Sequence, residues 1–113
     1  MMNGSTLFLD TLTGLPNRAC FLDRLSEAAD EARTHKRALA LLLIDLDNLF
    51  LINLEAGRHG GDQALVALAQ TLRRSARAHD FVTRLGGDQF AMLLPGTSLA
   101  TAAQLASAIR GLV

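Results

Sequence analysis

The hydrophobic positions change their period along the chain, and each change marks an element. Over residues 18–35, Phe21, Leu22, Leu25, Ala28, Ala29 and Ala32 recur at three- and four-residue spacing, which predicts an amphipathic helix. Asn17 precedes it and can cap the first free N–H groups. Arg33, His35, Lys36 and Arg37 gather at its end, where cations complement the helix dipole. Residues 39–44 are continuously apolar, a pattern that predicts a buried central strand, although so short a run also suits a helix. A short helix is expected around residues 48–55, a loop at Gly57, Gly60 and Gly61, and a long helix over 62–78. Leu65, Leu68, Leu72 and Ala76 form the inner stripe of that long helix. Residues 81–85 and 89–94 flank Gly86-Gly87-Asp88 and read as a β-hairpin. Pro95-Gly96 ends the second strand, and Thr97 or Ser98 can cap a last helix over 99–110 with Ala102, Leu105, Ala106 and Ile109 inward.

The order helix, strand, helix, hairpin, helix predicts an α/β domain, a small sheet with flanking helices. A chain of 113 residues is one domain at most, and with 50% hydrophobic residues it can bury a core. Lys plus Arg balance Asp plus Glu at 11 each, so no excess charge favours nucleic acid or an anionic membrane. Cys20 is the single cysteine, which excludes an internal disulfide and a cysteine-based structural zinc site. A packed thiol fits it better than a nucleophile, because no His sits at a helpful local spacing. His35, His59 and His79 stand apart from one another and read as surface imidazoles. No apolar run approaches the roughly 20 residues that cross a bilayer, and no signal peptide is recognised at the start. Residues 1–9 read as a linker or start remnant, and 10–113 as the domain.

Candidate chemistry lies at the turns. Asp45 follows the first strand and Asp88 sits at the hairpin tip, so if those strands are neighbours both carboxylates meet at one end of the sheet. Two hard oxygen ligands there could hold Mg²⁺, which keeps waters and takes substrate phosphates besides. Gly86 and Gly87 would let a phosphate approach the backbone. The plain alternative is a turn carboxylate hydrogen-bonded to its own backbone.

Several segments, in this order, resemble the GGDEF family of diguanylate cyclase domains: residues 10–18 (DTLTGLPNR), Ile44-Asp45-Leu46-Asp47, Ile52-Asn53, Gly57, Gly61-Asp62 and residues 84–90 (RLGGDQF). The resemblance implies a fold similar to the palm of nucleotidyl cyclases and polymerases, with a ferredoxin-like core. It implies a reaction that joins two GTP molecules into cyclic di-GMP across a head-to-head homodimer, with Mg²⁺, or Mn²⁺ in its place, offsetting phosphate charge. By position, Asp45, Asp88 and the Leu46 carbonyl resemble the metal ligands. Asn53 and Asp62 resemble the guanine readers, and Gly86, Gly87, Asp88 and Gln89 the catalytic signature. Arg84 resembles the arginine before the signature, as a phosphate contact or as an ion pair bracing the hairpin. Arg77 and Asp80 match the RxxD inhibitory site for cyclic di-GMP, for which a helix-end salt bridge is the plain alternative. The family also implies a bacterial, cytoplasmic protein and an attached sensor or phosphodiesterase domain.

This chain departs from the family pattern at several positions. Gln89 replaces a Glu; it is neutral, cannot act as a general base, and is a poorer metal ligand. Phe50 stands at a usual phosphate-contacting Lys, Leu54 at a frequent Asp and Arg58 at a frequent His. The family domain continues with a further strand and helix, so the domain is expected to be incomplete at its C-terminus and to leave a sheet edge uncovered. These departures lead to the expectation of a degenerate, weakly active or inactive domain that binds GTP or cyclic di-GMP and regulates an attached domain. An active cyclase is the alternative, and a ligand-free dimerisation scaffold the second alternative.

Overall fold

The computed structural model describes residues 9–47 and 49–112. The expected linker therefore lies outside the described residues except for Leu9, which forms an isolated β-bridge with Pro16. The elements run α1 (Arg18–His35), β1 (Leu39–Asp45), α2 (Leu49–Ser75), β2 (Phe81–Gly86), β3 (Gln89–Pro95) and α3 (Leu99–Leu112).

Local capping sets the helix ends. Asn17 Oδ1 accepts from the Cys20 amide at 3.2 Å, and the chain leaves α1 through Lys36 in the left-handed region, φ 54°. Ser98, rather than Thr97, caps α3, its Oγ accepting from the Thr101 amide at 3.2 Å. Of the predicted inner face of α1, Phe21 is buried whereas Leu22 is exposed.

The strands pair as an antiparallel sheet in the order β1-β3-β2. β3 is the central strand, and Phe90 to Leu94 are buried without a break. The expectation of a central β1 is corrected: among the described strands β1 lies at an edge, and it alternates. Ala40, Leu42 and Ile44 join the core while Leu41 and Leu43 are 42% and 70% exposed. Continuous apolarity there came from a strand whose outer face is only sparsely covered, by α1, and whose second edge pairs with no described strand.

One face of the sheet carries the main core. Ala40, Val82, Phe90, Met92 and Leu94 pack with Leu65, Leu68 and Leu72 of α2 and Ala102 and Ile109 of α3. On the other face, α1 covers β2: Arg24 stacks over the Phe81 ring at 5.8 Å, and the buried Thr83 hydroxyl donates to the Pro16 carbonyl at 2.6 Å. The predicted loop at Gly57, Gly60 and Gly61 is also corrected. α2 runs through it with a kink at Gly57, whose φ of 73° only glycine adopts readily, and Gly60 and Gly61 are helical. The helix then ends at Ser75, three residues short of the predicted limit.

Candidate functional site

The pairing of β1 with β3 decides where the carboxylates go. Asp45 lies directly opposite Gln89, and the Leu46 amide donates to the Asp88 carbonyl at 2.9 Å. Asp45, Leu46, Asp88 and Gln89 thus converge at one end of the sheet. Asp45 and Gln89 are exposed and Asp88 half-buried. Among the described residues neither Asp45 nor Asp88 forms an ion pair, and no group of three or more Asp, Glu, His or Cys side chains is placed to hold a metal by itself. Two carboxylates and one backbone carbonyl suit a hard cation that completes its shell with water and phosphate oxygens, the usual habit of Mg²⁺.

The hairpin tip is shaped by its glycines. Gly86 has φ 146° and Gly87 φ 52°, and a Cβ on either would meet nothing within 4 Å. The tip is open to an approaching ligand, and backbone conformation rather than crowding requires glycine there. A register shift between Arg84 and Gly86 sets the tip off from the regular ladder.

α2 begins four residues after Asp45, and beyond its kink Gly61, the neighbour of Asp62, abuts the Asn53 side chain. A Cβ added at the buried Gly61 would collide with the Asn53 side-chain oxygen and come to 3.1 Å from Leu49 Cδ1. The missing side chain is therefore a notch that the Asn53 carboxamide fills, one residue from Asp62. A carboxamide and a carboxylate are a donor–acceptor set that can read complementary groups on a flat heterocycle.

Arg84 is held inside the protein. Its Nη1 donates to both Asp10 oxygens at 3.0 and 3.2 Å, and Nε and Nη2 donate to the Gly87 carbonyl at 3.1 and 2.8 Å. The bracing ion pair considered from the sequence is thus present. Its partner Asp10 enters the sequence reading only as the first residue of the family-like segment 10–18, with nothing to pair it with a residue 74 positions away.

The sequence profile of the diguanylate cyclase GGDEF domain matches residues 7–113. This chain belongs to the GGDEF family. The GGDEF domain is 48% identical over 101 residues to diguanylate cyclase TpbB of Pseudomonas aeruginosa, covering 88% of this chain and 23% of TpbB. It is 42% identical over 97 residues to the bifunctional diguanylate cyclase/cyclic di-GMP phosphodiesterase MucR of the same species, covering 86% of this chain and 14% of MucR. Among solved structures, the GGDEF domain of DgcB from Caulobacter crescentus, in complex with c-di-GMP, superposes with a TM-score of 0.90 at 32% identity. That match covers 97% of this chain and 62% of DgcB's. The chain spans about a quarter or less of the length of these curated relatives.

Arg77 and Asp80 of the GGDEF domain lie at the opposite end of the sheet from Asp45 and Asp88, separated by the length of β3, about 20 Å. Asp80 accepts from the Arg77 backbone N–H at 2.8 Å and from its guanidinium at 3.1 and 3.2 Å. Arg77 Nη2 also donates to the buried Thr97 hydroxyl and, at 3.4 Å, to the Pro95 carbonyl. Asp80 raises the Arg77 pKa above its usual value through this hydrogen bond and its charge. An open cavity of about 530 Å³ lies at this same end, lined by Arg24, Glu27, Glu31, Arg37 and His79 among others. Cys20 is half-buried and free, and His35, His59 and His79 are exposed and dispersed. The Phe50 side chain lies outside the described residues. No helix among the described residues is long and apolar enough to cross a membrane.

Proposed function

We propose that this domain is one half-site of a diguanylate cyclase, which binds GTP at the Asp45–Asp88 end of the sheet and condenses it with the GTP of a second copy. The convergence of Asp45, Leu46 and Asp88 beside an open Gly-Gly tip is the observation that carries this reading. Relatives named as diguanylate cyclases, at 48% identity over most of this chain, support it.

In this reading Asp45, Asp88 and the Leu46 carbonyl would hold Mg²⁺, or Mn²⁺ in its place, which offsets triphosphate charge when bound. Asn53 and Asp62 receive the guanine edge, the carboxylate accepting from N1–H and N2–H. Gly86 and Gly87 admit the phosphates. The 3′-hydroxyl of one GTP attacks the α-phosphate of the other; a new P–O bond forms, the bond from the α-phosphorus to the bridging oxygen breaks, pyrophosphate leaves, the hydroxyl proton passes to solvent water, and the reciprocal step closes the ring. Two domains must face each other, so the working unit is a homodimer. Gln89 is neutral and does not take the 3′-hydroxyl proton. The name of MucR, which joins cyclase and phosphodiesterase, supports an attached phosphodiesterase or sensor domain.

A second reading is a nucleotide sensor that binds GTP, or cyclic di-GMP at Arg77 and Asp80, without turnover. Gln89 opposite Asp45 favours it, because a neutral carboxamide replaces a carboxylate at the reacting end. Incubating the protein with GTP and Mg²⁺ and resolving the nucleotides by ion exchange and mass spectrometry separates the two. Cyclic di-GMP formed by the parent and lost in Asp88→Asn supports the cyclase. GTP left intact by a parent that binds it supports the sensor.

A further inference from the structure

The segment before α1 is tied to the hairpin tip by one side chain. Asp10 is fixed first: its Oδ2 accepts from the Thr13 amide at 2.8 Å and the Thr13 hydroxyl at 2.7 Å. The segment is docked on β2 by the Arg84 amide donating to the Pro16 carbonyl at 3.1 Å and by the Thr83 hydroxyl at 2.6 Å. From that base the carboxylate grips one side of the Arg84 guanidinium, whose other side grips the Gly87 carbonyl. The ion pair is sheltered, with 14% and 19% of the two side chains exposed. Beyond Gly87 comes Asp88, whose own carbonyl is held by the Leu46 amide. The Gly87-Asp88 unit is therefore clamped between the residue 10–16 segment and the end of β1.

We propose that Arg84 is a positioning residue, not a substrate contact: it holds the turn that carries Asp88, and Asp10 holds Arg84. This rests on the half-site reading for its consequence in nucleotide binding, but the clamp itself does not. A planar fork that serves two acceptors at once suits arginine and not lysine. Asp10 and Gly87 engage four of its five N–H donors and leave one on Nη2, so a two-point grip on a phosphate requires displacing Asp10 or Gly87. The sequence expectation of a substrate-binding Arg84 is replaced by one in which the arginine acts through the backbone of the tip.

The test compares Asp10→Ala, Arg84→Ala and the double variant by amide hydrogen exchange without nucleotide, and by GTP titration with Mg²⁺. Each single variant is expected to speed exchange at residues 86–88 about tenfold or more, as loss of a charged hydrogen bond allows. The double variant should add little to Arg84→Ala, and exchange in the interior of β3 should hold at the parent rate. GTP affinity should fall in Asp10→Ala as in Arg84→Ala. Tip exchange at the parent rate in Asp10→Ala overturns the proposal, as does acceleration spread evenly over the sheet. GTP affinity lost in Arg84→Ala but kept in Asp10→Ala also overturns it, because Arg84 would then touch the nucleotide directly. A parent that binds no GTP refutes the half-site reading, while the exchange data still decide the clamp.

Discussion

Burial around Asp10 opposes its ionisation, but the two Thr13 hydrogen bonds and the Arg84 guanidinium outweigh it and hold its carboxyl below the ordinary 3.8. A depressed folded pKa stabilises the protein above 3.8, and that contribution is lost as pH falls through the folded value. Asp10→Asn should therefore lower stability at neutral pH and flatten the loss of stability below pH 3.8, read from urea midpoints across an acid series. Gly61 gives a prediction of the opposite kind. Alanine in a helix is favoured over glycine by about 0.5–1 kcal/mol, yet a Cβ here collides with Asn53. Gly61→Ala should weaken GTP binding about tenfold, as loss of one hydrogen-bonding group would, by isothermal titration. Parent affinity in that variant would mean that the notch has no role in placing Asn53. The sequence offered an ion pair at Arg84 but not its partner Asp10, and the Gly61 notch was not legible at all. The pair joins residues 74 apart, and the notch depends on how a kink folds two turns together.

At the scale of elements, what the sequence revealed was what local chemistry decides. The limits of α1 follow from the Asn17 cap and the apolar spacing, and Asn17→Ala should cost about 1 kcal/mol in chemical denaturation. The hairpin was legible because Gly-Gly-Asp stands between two apolar runs. What remained hidden was which strand is central, since β1 and β3 are both continuously apolar and only their neighbours distinguish them. β3 fills that place, so Phe90→Ala should cost about 3–5 kcal/mol, the usual range for a buried aromatic truncation. The break expected at Gly57, Gly60 and Gly61 is present at Gly57 alone, for a related reason. Glycine marks a break by propensity, but two of these three lie in helix, where close side-chain approach uses their missing Cβ. Leu43, 70% exposed on the edge strand, is an adhesive position. Leu43→Lys should reduce self-association in light scattering without lowering the denaturation midpoint.

Over the whole molecule, the sheet separates two groups of polar residues, Asp45, Asp88, Asn53 and Asp62 at one end and Arg77, Asp80 and Thr97 at the other. The carboxylate end could be expected from the sequence as soon as β1 and the hairpin were taken as neighbours, and the antiparallel register of β1 on β3 brings that about. The reading of this end as a single nucleotide site joins side chains from β1, the hairpin and both segments of α2. The most direct measurement is a GTP titration with Mg²⁺ on the parent, Asp62→Ala and Asp88→Asn. A single site is predicted to bind GTP in the parent and to lose at least about tenfold in affinity in each variant, from one lost charged contact at either half. No binding by the parent, or parent affinity in both variants, would contradict the account.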